Sequence, residues 1–362
     1  MADVRPALDL VEAVHVVVPF RRPFEAAHGV FTARSSWIVR LRDRDGREGL
    51  GEVALDLGAS TADEAALGRG VREVVDLLSE DRQPEWASGG GNSRVKRAVR
   101  AGVEGAFEGL SGRQAAGSMS VAVNATIDFR SPSESAAAAT QAVASGFTTL
   151  KVKVVGDEPV GALVERVTAI REAVGQSVRL RLDANGSWNF DSALARLGAL
   201  RTLGVEYVEQ PLPAADLDGH VALRRVRAVP IALDESVADE ASTRRILEIG
   251  AAAVLVVKPA RVGGPVVARS IAALAAAAGV PTVLSTFFET GIGIASAVRI
   301  AVSIPLVGEE RAHGLATAGL LEHDLLATPM IVRAGRMAVP HVLELDAEAM
   351  ERYAVETTGQ VP

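Results

Sequence analysis

Val178-Arg179-Leu180-Arg181-Leu182-Asp183, Val205-Glu206-Tyr207-Val208-Glu209 and Ile231-Ala232-Leu233-Asp234 are three short runs, each closed by an acid. The closing acids stand 26 and 25 residues apart, the length of one strand, one helix and their connections. Parallel strands need a crossover of a dozen or more residues, so this interval predicts βαβ units. Working outward, residues 121–127 and 149–154 read as strands before the trio, and 253–258 and 282–285 as strands after it. Helical stretches lie between them. Ser131-Pro132-Ser133-Glu134 is a capping box with Pro at the first helical position. Gly146, Gly204, Gly250 and Gly279 each follow a helical pattern, where a left-handed C-cap is wanted. Seven such repeats, and an eighth near 311–317, predict a closed barrel. No glycine-rich fingerprint follows the first strand, which disfavours a nucleotide-binding doubly wound sheet.

The first 120 residues follow another pattern. Residues 14–18 read as a strand, 37–42 alternate apolar and polar, and Asp43-Arg44-Asp45-Gly46 turns the chain toward a strand ending near Val53. Residues 19–29 between them read as a loop rich in Arg and aromatics. Helical patterns over 62–79 and 93–110 follow, separated by Ser88-Gly89-Gly90-Gly91-Asn92. Strands followed by helices predict an α+β domain. The expected chain is therefore α/β: a modified (β/α) TIM-type barrel over 121–319, with an N-terminal α+β capping domain over 1–120 that segment 320–362 completes.

Composition narrows the chemistry. Of 362 residues, 48% are hydrophobic, enough for a large core, and the net charge of −7 comes without a basic block, so nucleic acid is not an expected partner. Cysteine is absent, which removes disulfides, thiolate-bound zinc and a thiol nucleophile. Asp3, Asp9 and Glu12 interrupt the N-terminal stretch, arguing against a signal peptide. The most apolar segment, 270–284, is broken by Gly279 and Pro281 and is too short to span a bilayer. A cytoplasmic protein with no membrane partner is expected; a homo-oligomer is allowed.

In a barrel the chemistry sits at the C-terminal ends of the strands. Those ends read Lys151-Val152-Lys153, Asp183-Ala184-Asn185, Glu209-Gln210-Pro211, Asp234-Glu235-Ser236 and Lys258-Pro259. Burying so many charges unpaired would cost several kcal/mol or more. A hard cation resolves the cost: three carboxylates without His or Cys select Mg²⁺, or Mn²⁺, over zinc. Asp183, Glu209 and Asp234 are the expected ligands. A lysine base must be neutral, and Lys151, Lys258 and the metal are positive charges that favour the neutral amine at Lys153. A single acid at a strand end is usually a cap or a surface ion pair; five charged ends at unit spacing are not so explained. Asn185 reads as an Asx turn or part of the metal shell, Glu235 as a partner of a ligand or lysine, Lys151 as a solvated or a supporting lysine. His313 reads as a core histidine, and Trp188 has no role on this reading.

The ordered set of Lys-x-Lys, Asp-x-Asn, Glu-Gln-Pro, Asp-Glu-Ser and Lys-Pro resembles the enolase superfamily, muconate-lactonizing subgroup. The resemblance covers nearly the whole chain. Arg22-Pro23-Phe24 with His28-Gly29, Val123-Asn124-Ala125-Thr126-Ile127 and Ala312-His313-Gly314-Leu315-Ala316-Thr317 narrow it to members that dehydrate a succinylated cyclohexadiene acid. It implies a carbon–oxygen lyase acting on a small carboxylate through an enediolate, with Lys153 and Lys258 catalytic and Lys151, Asn185 and Glu235 supporting. Racemases and epimerases of acylated amino acids, and muconate cycloisomerases, share the set. Expected substrate-binding positions are Arg22, Gly263, Ser285 and Glu289. Ser285-Thr286-Phe287-Phe288-Glu289 is bulkier than the small residues the resemblance leads one to expect after the seventh strand. A rival of another class is a Schiff-base aldolase, in which Lys153 or Lys258 attacks a carbonyl.

Overall fold

The computed structural model describes residues 6–26, 29–84, 86, 93–111, 119–128 and 130–360. His28 and the Ser88-Gly89-Gly90-Gly91-Asn92 stretch lie outside them. Strands β1 (Leu8–Ala26), β2 (Gly29–Asp43) and β3 (Glu48–Val53) lead into helices α1 (Thr61–Ser79) and α2 (Arg94–Leu110). The expected loop over 19–29 is instead mostly strand: β1 runs on to Ala26 and pairs with β2 down to Ala26–Gly29. A register shift between Pro19 and Phe24 absorbs the irregular Arg21-Arg22-Pro23 stretch, as a bulge does where a residue cannot donate to the ladder.

Period-two alternation gives this sheet two apolar faces. Ala13, Trp37, Val39 and Leu41 pack against Leu67, Val71 and Val74 of α1 and Val99 and Val103 of α2. Val14, Val16, Val18 and Ile38, one residue out of step, belong to the barrel core. The sheet is thus sandwiched between its own helices and the barrel.

After the short β4 (Ser120–Ala122), the barrel strands are β5 (Ala125–Ile127), β6 (Thr149–Lys153), β7 (Arg179–Asp183), β8 (Val205–Glu209), β9 (Ile231–Leu233), β10 (Val254–Val257) and β11 (Thr282–Leu284). β5 to β11 form one parallel sheet in sequence order. Parallel bridges Val123–His313 and Ser285–Gly314 tie its two edges to one segment and close the curl. The expected eighth element near 311–317 is this bridge. The expected single strand over 121–127 is two, because β4 turns away to pair with β13 (Arg336–Ala338) after β12 (Val332–Arg333), while β5 stays with β6. The capping box at Ser131 and Glu134 is present. Gly146, Gly204, Gly250 and Gly279 have φ of 90°, 65°, 67° and 70°. The last strand, β14 (Ala354–Gln360), returns to pair antiparallel with β1. Among the described residues no helix is long and apolar enough to cross a membrane.

Candidate active site

Parallel strands in register bring their C-terminal residues together. Lys153 is the β6 partner of Asp183, and Asp183 the β7 partner of Glu209. Asp234 and Lys258 follow β9 and β10 directly. Asp183, Glu209 and Asp234 are each at most 1% exposed. The Lys151 ammonium lies 2.8 Å from Asp183 Oδ2 and 2.8 Å from Glu209 Oε1. Lys153 donates to Asp183 Oδ2 at 2.6 Å and to Asn185 Oδ1 at 2.9 Å. Across the curled sheet, Lys258 donates to Asp234 Oδ2 at 2.6 Å, and the Arg261 guanidinium takes Asp234 Oδ1. Asn185, at φ 45°, donates from Nδ2 to Glu235 Oε1 at 3.0 Å, and its backbone N–H donates to Asp183 Oδ1 at 3.1 Å. Asn185 thus serves both as a turn and as a link between Lys153 and Glu235.

The charges do not cancel evenly. Burial and the nearby Asp183 push Glu209 up to about 7, against the pull of Lys151. Burial also raises Asp183 and Asp234, but Lys151 and Lys153 outweigh it at Asp183, and Arg261 and Lys258 at Asp234, so both finish low. Burial disfavours the Lys151 ammonium, yet Asp183, Glu209 and Asp234 together hold it well above the usual lysine range. In this arrangement Lys151 is an ion-pair partner shared by Asp183 and Glu209. Among the described residues no three acids converge as a ready-made metal cluster; Lys151, Lys153, Lys258 and Arg261 occupy oxygens of Asp183, Glu209 and Asp234.

Gln210 and Arg261 were not assigned roles from the sequence. Gln210 sits in the Glu-Gln-Pro run, where its side chain accepts from the backbone N–H of Asp234 at 3.0 Å and of Ser236 at 3.2 Å. It therefore sets the height of Asp234 against Glu209. The signal for Arg261 is its place three residues after Lys258, one turn along the Pro259–Val262 helix.

The four expected substrate-binding positions separate. Arg22 is exposed on β1. Gly263 has φ 104° and caps the Pro259–Val262 helix; its N–H, like that of Gly264, is bonded to Pro259 O. Both amides are thus taken up in ending the helix and are not free to hold an anion. Ser285 directly follows β11 and is buried, its N–H donating to Val257 O at 2.9 Å. Glu289 is buried and accepts from the backbone N–H of Phe287. Burial pushes Glu289 up to about 7, partly offset by Arg34 and reinforced by Glu52. His313 accepts from Leu284 N–H at 2.9 Å and is lowered to about 4 by burial and Arg181. It is a neutral barrel-closing residue. Trp188 is buried under the Arg196 guanidinium, 5.3 Å from ring centroid to Cζ.

Residues 134–343, more than half of the chain, match the family model described as enolase C-terminal domain-like. The chain belongs to the enolase superfamily. Within the superfamily it is similar to o-succinylbenzoate synthase of Thermobifida fusca, 38% identical over 61% of this chain and 67% of that protein. It is also similar to N-succinylamino acid racemase of Thermus thermophilus, 30% identical over 89% of each. The structure superposes on L-Ala-D/L-Glu epimerase of Bacillus subtilis with a TM-score of 0.79 and 26% identity, covering 92% of this chain and 97% of that one. It also shares the fold of muconate lactonizing enzyme from Pseudomonas fluorescens, with a TM-score of 0.84 at 24% identity, covering 97% of this chain and 100% of that one.

Proposed function

We propose that this chain is an o-succinylbenzoate synthase. It would dehydrate 2-succinyl-6-hydroxycyclohexadiene carboxylate, a step of menaquinone biosynthesis. The observation that carries the proton-transfer chemistry is the placing of Lys153 and Lys258 on opposite sides of the curled sheet, with three carboxylate-bearing strand ends between them. The choice of dehydration rests on the identity to o-succinylbenzoate synthases, higher than that to the racemases and epimerases of comparable similarity.

Asp183, Glu209 and Asp234 would hold Mg²⁺: all donors are anionic oxygens, and Glu209 is held up by burial and by the neighbouring Asp183 and Asp234 carboxylates, both of which a hard cation offsets. The ion would supply positive charge opposite the substrate carboxylate. Lys153 takes the proton from the carbon next to that carboxylate. The electron pair of the broken C–H bond spreads into an enediolate, and the Lys258 ammonium lies over the developing charge. Lys153, now protonated, gives its proton to the departing hydroxyl on the same face. The C–O bond breaks, water leaves and the ring becomes aromatic. Lys151 keeps Asp183 and Glu209 in place, and Asn185 orients the Lys153 amine.

A second reading, racemisation of N-succinylamino acids, is favoured by one observation: Lys153 and Lys258 each pair with a carboxylate on their own side of the sheet, Asp183 or Asp234, at the same 2.6 Å. Inversion needs an acid and a base on opposite faces, and this near-symmetry offers both. The two activities are separated by measuring kcat/KM for the cyclohexadiene acid and for an N-succinylamino acid on one preparation. We expect the dehydration to be faster; racemisation far exceeding it, or no turnover of the cyclohexadiene acid, overturns the proposal.

A further inference from the structure

The loop after β11 meets the capping domain at three points, and one of its side chains reaches Lys258. Phe287 lies with its ring centroid 5.0 Å from the Lys258 ammonium and 5.0 Å from the Arg261 Cζ. Its other neighbours are Ala260, two residues beyond Lys258, and Ala101 of α2. The next residue, Phe288, has φ 64°. A bulky side chain in the left-handed region is strained and stays there only when its surroundings hold it. What holds it comes from the β1 hairpin: Phe24 at 4.5 Å between centroids and Phe20 at 6.1 Å, edge-on. At the loop's far end Glu52, the penultimate residue of β3, caps the helix Gly291–Ala301. Its carboxylate accepts from Thr290 N–H, from Thr290 Oγ1 at 2.7 Å and from Gly293 N–H at 3.0 Å. Within the loop, Glu289 accepts from Phe287 N–H.

We propose that Phe287 is a positioning residue for Lys258, and that the capping sheet keeps it there through Phe24, Phe20 and Glu52. The negative ring face steadies the ammonium on the Asp234 side of the barrel, whereas Lys153 is held by Asp183 and Asn185 and owes nothing to this loop. The capping domain therefore acts on one of the two lysines only. The assignment rests on the two-lysine reading above.

The test is exchange of the α-proton of an N-succinylamino acid in D₂O, each enantiomer separately, in the full-length protein with Mg²⁺. Lys258→Ala identifies the enantiomer whose exchange depends on Lys258. Phe287→Leu, which keeps bulk but removes the ring face, should slow that enantiomer roughly 3- to 30-fold and leave the other within about twofold. The unaffected enantiomer reports that the variant is folded. Phe287→Tyr, which keeps a ring, should restore most of the loss, and Glu52→Gln and Phe24→Leu should give the same asymmetry. Equal slowing of both enantiomers, or of neither, overturns the positioning role. If the capping-domain variants leave both rates unchanged, the link through the loop is overturned. Failure of the unmodified protein to exchange either enantiomer overturns the two-lysine exchange on which the assignment rests, and the assignment with it; the dehydration reading is judged separately, by turnover of the cyclohexadiene acid.

Discussion

The residues at the site differ in what they can be exchanged for. Lys153 has to lose and regain a proton, so Lys153→Arg should abolish dehydration, since a guanidinium stays protonated. Lys258 has to be positive, so Lys258→Arg should retain a measurable fraction of kcat/KM. Equal loss in the two variants would mean that both lysines transfer protons, as a racemase requires. His313 gives a prediction about stability. Its folded pKa, about 4, lies below the ordinary 6.5, so the unfolded chain binds the proton first. The stability it confers is present above pH 6.5 and is lost as the pH falls toward 4, by about 3 kcal/mol in all. His313→Gln does not titrate there. The difference in unfolding free energy between parent and variant, from urea titrations, should therefore shrink across that window; a constant difference would show that His313 is not the group responsible.

At the scale of elements, strand ends and close approaches matter more than propensity. β3 carries Gly49 and Gly51 against α2. A Cβ built on Gly51 would lie 1.8 Å from Gly102 O, and one on Gly49 1.9 Å from Ala106 O. Neither is a flexible neighbour that can move aside. Gly51→Ala should therefore lower stability by about 3 kcal/mol or more, and because Glu52 follows directly, activity should fall with it. A thermal midpoint unchanged within about a degree would refute the close packing of β3 on α2. The break between β4 and β5 is another element-scale result. Residues 121–127 read as one strand, but at Val123 and Asn124 the backbone turns from the β13 ladder to the barrel, with Val123 N–H donating to Gly335 O and Asn124 N–H to His313 O. Those partners lie some two hundred residues away in sequence, where no local pattern can point to them.

The whole molecule sets the metal prediction. A ligand that binds the folded chain and not the unfolded one raises the melting temperature with its concentration, by about 2.7 kcal/mol of stability at a hundredfold excess over Kd. Mg²⁺ should therefore raise the melting temperature of the parent and shift that of Asp183→Asn, Glu209→Gln and Asp234→Asn much less. This readout needs no substrate, so it tests the three acids apart from the reaction. An equal Mg²⁺ shift in parent and variants would remove them as ligands. β14 adds a second whole-molecule feature: it pairs with β1, so the end of the chain completes the sheet that its beginning starts.

The barrel and its charged strand ends were legible because they rest on short-range regularities: alternation along a strand, a cap residue at a helix end, and an acid or lysine recurring once per βα unit. Lys153, Asp183, Glu209, Asp234 and Lys258 could be named from spacing because register in a parallel sheet carries each to the same rim. Tertiary structure alone decided what shares that rim with them. It put Arg261 on Asp234, turned the Gly263 amide back onto Pro259, extended β1 through what reads as a loop, and brought Glu52, Phe20 and Phe24 onto the loop that carries Phe287. Each of these depends on two surfaces meeting from distant parts of the chain. A local pattern fixes which face of an element is apolar or charged, but which other face it meets is set by the packing of the whole molecule.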